Sequence, residues 1–362
     1  MDLLGAAANV RDRLITGHLA DLRRMPREVI DSAPNATVYR YLPLSDVEPE
    51  RAPAGGTLGE PVLLVPPLGA PDFAYDLRRG CSLVEHLLLA GRDVYLVDYG
   101  PISFAERGLG MEFWVDNVVP RAARRVSESR DGAGVQLVGW CLGGLFSLLA
   151  VAAHEDLPVR SVTAIASPFD ISAVPLVAPL RPLAAITGGR GISSIYQMLG
   201  SVPAPVVKWV FQMSTVDRYL TKPLTVLSRL DNRDVLEQIE AVDYMMANMH
   251  GYPGRIFGQI YHLMLRSNDL ADGGLYLGGR RVELADVEVA VLVVAGENDV
   301  IAPLGAVRKG PKLLTGAPEV RFEAAPGGHL GVLTGRRSRD TTWAYLGEFL
   351  DRNDSSRDVA AR

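Results

Sequence analysis

Cysteine is scarce in this chain, with only Cys81 and Cys141 among 362 residues. Two cysteines cannot build a disulfide framework, and no Cys/His cluster has the spacing of a zinc site, so neither a metal nor any other cofactor is expected. An excess of positive charge is lacking too: 37 Lys and Arg stand against 42 Asp and Glu, a formal net charge of −5. That argues against a nucleic-acid partner, which would call for a basic footprint. No apolar run is long enough to cross a bilayer without Gly, Pro or a charge interrupting it. The opening Met1-Asp2-Leu3-Leu4-Gly5 lacks the basic and apolar regions of a secretory signal. The expected setting is soluble, reduced and cytoplasmic.

Apolar residues, by contrast, make up 48% of the chain, enough for a large core. Their spacing reads as an α/β protein. Residues 1 to about 30 have Leu14, Ile15, Leu19 and Leu22 near helical spacing, so an N-terminal helical segment is expected over 1–45. Short apolar runs then alternate with helical stretches. Strands are expected at Val62–Val65, Val94–Val97, Val135–Val138, Val162–Ala166, Val289–Ala295 and Val320–Glu323. Helices are expected at Ser82–Ala90, with Ser82 as N-cap, at 111–128, where Pro120 should kink or divide the helix, and at Leu142–Ala153. Strand–helix alternation implies crossover connections and a doubly wound, mostly parallel sheet. The rhythm fails between 171 and 285, where Pro175, Pro179, Pro182, Pro203 and Pro205 intervene and aromatic and Met residues gather. A helical cap is expected there, inserted late in the sheet between core segments 46–170 and 286–350, with a flexible tail over 351–362.

Chemistry concentrates in one motif. The strand at Val135 runs directly into Gly139-Trp140-Cys141-Leu142-Gly143-Gly144 and then into an apolar helix. This is the strand–turn–helix setting of a nucleophile elbow, with Cys in place of Ser. Small residues are needed because the turn is strained and side chains beside it would strike the neighbouring strand and helix. The helix N-terminus favours thiolate over thiol. A buried Cys in a nucleotide-binding turn is the bland alternative, but G-x-G-x-x-G is absent, as is the terminal Gly-Lys-Ser/Thr of a phosphate loop.

An elbow of this kind needs an acid and then a His further along the chain. Asp299 follows the strand ending at Ala295, with Glu297 as a competing acid, and His329 follows the last strand on Ala325-Pro326-Gly327-Gly328. His18, His86, His154, His250 and His262 lie in poorer contexts, on helices or in the cap. His329 as base and Asp299 as its orienting acid complete a Cys-His-Asp set. The oxyanion would take the N–H of Leu142 and one from the loop after Val65. Pro66 and Pro67 have no N–H, which leaves Leu68 or Gly69, and Leu68 is the choice. Cys81 lacks a matching base and reads as structural.

With these residues placed, the chain resembles the polyhydroxyalkanoate (PHA) synthases, especially their shorter class, within the α/β-hydrolase superfamily. The Gly-x-Cys-x-Gly-Gly box at 139–144 carries the resemblance. Pro66-Pro67-Leu68, Tyr75-Asp76-Leu77, Ser82-Leu83-Val84-Glu85, Val94–Tyr99, Asn268-Asp269-Leu270, Gly296-Glu297-Asn298-Asp299 and Gly327-Gly328-His329 extend it. It implies an acyl-Cys141 intermediate, His329 as base, Asp299 as its partner or as activator of the incoming hydroxyl, a 3-hydroxyacyl-CoA substrate and a growing polyester. It further implies a homodimer or a second synthase-type subunit, and contact with a hydrophobic granule or membrane. The chain departs from the family at Ala70-Pro71-Asp72-Phe73-Ala74, at Tyr99-Gly100-Pro101 and at Val300. A Cys-nucleophile thioesterase or polyester depolymerase is the second reading, and a non-catalytic granule- or lipid-associated accessory protein the third.

Overall fold

The apolar runs assemble into one eight-stranded sheet in a computed structural model, which describes residues 2–53, 59–174, 201–202, 205, 208 and 223–355. The strands are β1 (Arg27–Asp31), β2 (Thr37–Tyr41), β3 (Val62–Val65), β4 (Val94–Asp98), β5 (Val135–Trp140), β6 (Val159–Ile165), β7 (Ala290–Gly296) and β8 (Val320–Ala325). Their spatial order is β1-β2-β4-β3-β5-β6-β7-β8. β1, β2 and β4 pair antiparallel, and every pair from β4 across to β8 is parallel. All residues of β3, β5 and β7 are buried, which is why they read as unbroken apolar runs rather than alternating ones. The chain leaves β3 for β4 on one side and returns to β5 on the other. The carboxyl ends of β3 and β5 thus flank a topological switch point, where such sheets place their sites.

Helices α2 (Leu83–Leu89), α3 (Val119–Glu128), α4 (Leu142–Ala153) and α6 (Thr342–Arg352) pack on the sheet, while α1 (Leu3–Thr16) is joined to the start of α5 (Arg233–Ala247), with Asn9 donating to the Leu230 carbonyl and Arg233 binding Asp12. Ser82 caps α2, its hydroxyl accepting the Glu85 N–H at 3.0 Å, while the Glu85 carboxylate turns to the Gly80 N–H. Pro120 divides the 111–128 stretch as expected. It has no N–H to bond back four residues, and a π-turn at Trp114–Val118 precedes α3, with the Val119 N–H reaching the Trp114 carbonyl.

Two expectations need correction. The N-terminal 45 residues are not a helical segment. Helix α1 stops at Thr16, because Gly17 takes a left-handed φ of 78° and its N–H closes on the Arg13 carbonyl. Residues 27–41 then form the β1–β2 hairpin on the β4 edge. The helical spacing of Leu14, Ile15, Leu19 and Leu22 does not extend over this stretch, and the edge of β4 offers it hydrogen bonds that a helix could not use. The second correction concerns the start of the expected tail, residues 351–355; residues 356–362 lie outside the described residues. Helix α6 runs to Arg352, and Asp354 lies under the sheet, where its carboxylate takes the Arg92 Nη1 at 2.6 Å and Asp351 takes Nη2. The Arg92 side chain is 3% exposed and that of Asp354 0%. Removing Asp354 leaves the buried Arg92 charge with only the half-exposed Asp351 as its partner. Asp354→Ala is therefore expected to cost about 3–5 kcal/mol. Urea unfolding checks this, and a loss under about 1 kcal/mol would count against the pair.

The sheet is interrupted after β6 by the segment expected to be a cap. Among its described residues are α5, a short helix at Gly254–Gln259, a π-turn at Ile260–Arg266 and a hairpin at Gly274–Leu277 and Arg280–Glu283. Pro175, Pro179, Pro182 and Pro203 lie outside the described residues. No helix among the described residues is long and apolar enough to cross a membrane.

Candidate active site

Parallel register decides which loops meet. Val65 pairs with Gly139, Gly139 with Ala164, Trp140 with Ile165, and Gly296 with Ala325. The strands β3, β5, β6, β7 and β8 therefore end together, and their loops carry Leu68, Cys141, Ser167, Asp299 and His329.

Cys141 sits between β5 and α4 with φ 54° and ψ −120°, a conformation that side chains rarely adopt and that stores about 1–3 kcal/mol. Its N–H donates to the Ile165 carbonyl at 2.8 Å. Its own carbonyl accepts the Ser167 hydroxyl at 2.8 Å and the Gly144 N–H at 3.2 Å. The glycines of the box are required by space. A Cβ on Gly139 would lie 2.4 Å from the Gly144 nitrogen, and one on Gly143 would lie 2.0 Å from the Val65 carbonyl oxygen.

His329 and Asp299, both buried, meet at 2.8 Å between Nδ1 and Oδ2. The other Asp299 oxygen accepts the N–H groups of Ile301 and Ala302 at 2.8 and 2.9 Å, so the carboxylate is fixed in orientation. Glu297, the competing acid, is exposed. Gly327 holds the turn before His329 with φ 139°, and its carbonyl accepts the Asn298 N–H, which ties the acid loop to the His loop. Burial disfavours an imidazolium at His329. The charge of an ionised Cys141, the hydrogen bonds to Asp299 and Cys141 and the charge of Asp299 together outweigh it and raise the group to about 10. The structure thus brings Cys141, His329 and Asp299 together.

The sign of that shift sets a test. An imidazole is charged below its pKa, so His329 should remain imidazolium through neutral pH. Cys141→Ala removes one opposing charge and keeps the burial. The His329 titration, followed by NMR, should then move down by more than one unit; an unmoved titration would show that no such pair exists.

Leu142 is the first residue of α4, and neither its N–H nor that of Leu68 donates a hydrogen bond among the described residues. The Leu68 loop is pinned by three bonds. Tyr75 donates its hydroxyl to the Val65 carbonyl, Tyr99 to the Pro66 carbonyl, and the His250 N–H binds the Gly69 carbonyl, each at 2.8 Å.

The remaining histidines lie elsewhere. His18 is exposed, His86 rests against Trp343 with ring centroids 5.0 Å apart, and His154 binds Asp116 at 3.1 Å. His262 stands beside Tyr261 in the π-turn. Cys81 donates its thiol to the Thr334 carbonyl at 3.1 Å, and burial pushes that thiol up. Sequence reasoning passed over three supporting residues: Ser167, Tyr75 and Trp140. The Trp140 indole N–H donates to the His329 carbonyl at 3.1 Å, and its ring lies 5.3 Å from the imidazole. Only the place of Trp140 inside the Cys box could have signalled it. Among the described residues no His, Cys, Asp and Glu gather as a metal-binding group.

Comparison with known proteins places these observations. The family model described as "PHB de-polymerase C-terminus" matches residues 238–354. The poly(3-hydroxyalkanoate) polymerase subunit PhaC of Allochromatium vinosum is 28% identical over 94% of this chain and 92% of its own length. That of Thiocystis violacea is 25% identical over the same shares. Among solved structures, DcsB in complex with its substrate analogue superposes with a TM-score of 0.53 at 15% identity, covering 91% of this chain and 99% of that one. This chain is therefore an α/β-hydrolase-fold protein similar in sequence to the poly(3-hydroxyalkanoate) polymerases over nearly its whole length.

Proposed function

We propose that this protein is a PHA synthase-like acyltransferase that carries a 3-hydroxyacyl group on Cys141 and passes it to a hydroxyl acceptor, such as the end of a growing polyester. The observation that carries this reading is the similarity to the polymerases along the whole chain, on a fold whose elbow holds Cys rather than Ser. The Cys141 thiolate attacks the thioester carbonyl of the acyl-CoA. Charge developing on the carbonyl oxygen meets the N–H groups of Leu142 and Leu68. Collapse breaks the bond to the CoA sulfur, and His329 gives that sulfur its proton. Neutral His329 then takes the proton of the acceptor hydroxyl as its oxygen attacks the acyl-Cys141 thioester, and Cys141 leaves as thiolate. A thioester-to-thioester first step is nearly isoenergetic, which suits Cys over Ser. Asp299 acts through His329 rather than on the acceptor, since one of its oxygens is taken by two backbone N–H groups and the other by Nδ1.

The expected partners are the acyl-CoA, a second copy or a synthase-type subunit, and a polyester surface in the cytoplasm. A hydrolytic reading, a thioesterase or polyester depolymerase, is favoured by the family match at residues 238–354 and uses the same three residues. Mass spectrometry after incubation with 3-hydroxybutyryl-CoA separates them. An adduct on Cys141 that persists without acceptor and is transferred when a hydroxyacyl acceptor is added supports the transferase; free acid as the sole product overturns it.

A further inference from the structure

The loop that carries Leu68 is anchored at its far end by an ion-pair cluster. Asp72 lies four residues after Leu68, within Ala70-Pro71-Asp72-Phe73-Ala74. Its carboxylate accepts the Arg24 guanidinium at 3.0 Å through both oxygens, and Arg27 binds the same group. Neither arginine is loose. Arg24 lies 4.2 Å over the Phe73 ring, and Arg27 lies 3.9 Å over Tyr39 of β2 and is largely buried at the start of β1. Phe73 in turn packs at 5.2 Å on Tyr244 of α5. The N-terminal segment is fixed to the same stretch a second time, by the Met25 N–H donating to Asp76 at 2.6 Å. The near end of the loop, Gly69, has φ 81° and is held by the His250 N–H.

We propose that Asp72, clamped by Arg24 and Arg27, is a positioning residue that holds the Leu68 N–H at the oxyanion site. The proposal rests on the reading of Leu68 and Leu142 as the oxyanion donors. The physical reason is preorganisation. A donor helps only when it already points at the place where charge will develop; Tyr75, Tyr99 and His250 fix the loop up to Gly69, and its outgoing end needs an anchor of its own. Asp72 touches no reacting atom. It acts on the chemistry by joining the loop to the β1–β2 hairpin, which is itself part of the sheet.

The test compares two reactions of Cys141 in the full chain. Acylation by 3-hydroxybutyryl-CoA passes through an oxyanion, whereas alkylation by iodoacetamide does not. Asp72→Asn is expected to slow acylation about tenfold to a hundredfold, the range for misplacing one such donor, and to leave alkylation within about twofold. Arg24→Gln should do the same to a smaller degree, and Asp72→Glu should restore most of the rate. Equal slowing of both reactions, or no slowing of acylation, overturns the proposal. The underlying oxyanion reading is checked separately on the unaltered protein with a carbon-13-labelled trifluoromethyl ketone that adds to Cys141. An adduct that stays anionic at neutral pH supports two donors, and an adduct with ordinary hydroxyl acidity sinks that reading whatever Asp72 does.

Discussion

Replacing Cys141 with alanine is expected to lower acyl transfer from a 3-hydroxyacyl thioester by about 10⁴-fold or more, the scale on which a covalent nucleophile acts. The covalent adduct should vanish with it. Stability should change little, because alanine keeps a Cβ at the same φ of 54° and the sulfur leaves only a small space behind. Glycine at the same position is different. It adopts positive φ without steric cost, so Cys141→Gly should be as inactive as Cys141→Ala and more stable than it by about 1 kcal/mol. Denaturant midpoints of the two variants measure that difference. If the glycine variant is the less stable of the two, the turn is not strained in the way its dihedral angles indicate. Full polymer synthesis by Cys141→Ala in a complementation assay would leave only the accessory-protein reading.

The second large effect is expected at Asp299. Asp299→Asn can keep the oxygen that accepts the Ile301 and Ala302 N–H groups, so the loop should hold its shape. What changes is the atom facing His329. An amide NH₂ cannot accept from Nδ1–H, so the neutral imidazole must adopt the other tautomer and present a hydrogen, rather than a lone pair, to the acceptor hydroxyl. Loss of about 10³–10⁴-fold in turnover is expected, by analogy with the acid of a serine triad. The pH profile should move as well. Without the carboxylate the His329 pKa, now about 10, should fall, since burial then acts against Cys141 alone. The basic limb of the rate profile should follow it downward. An Asn variant with near-normal turnover and an unmoved basic limb would assign Asp299 to loop structure alone.

Much of the core was legible from the order of residues because a parallel sheet buried on both faces leaves a strong local trace. Val62–Val65 and Leu142–Ala153 have the boundaries read from the sequence, and the other core strands lie within a few residues of theirs. The geometry of the elbow was legible for a related reason. The Gly139 and Gly143 positions are dictated by contacts under 3 Å with backbone, so their spacing is written into the chain. The hairpin at 27–41 left no such trace. Its strands are short, and Arg27-Glu28-Val29-Ile30-Asp31 carries charge on either side of two apolar residues. Its conformation was decided by the unpaired edge of β4, fifty and more residues away. Asp354 was read as a frayed end because its partner, Arg92, is remote in sequence.

By itself, then, the sequence determined the α/β alternation, the Cys-bearing elbow and the order of Asp299 and His329 behind it, because each depends on contacts between near neighbours or on the strict order of strands and loops. Tertiary structure decided which groups meet. It chose Asp299 over Glu297, set Trp140 and Ser167 around the elbow and folded the N-terminal segment back so that Arg24 and Arg27 reach Asp72. Those choices depend on sheet register, which aligns loops more than a hundred residues apart at one end of the fold, and no local pattern of residues encodes that alignment.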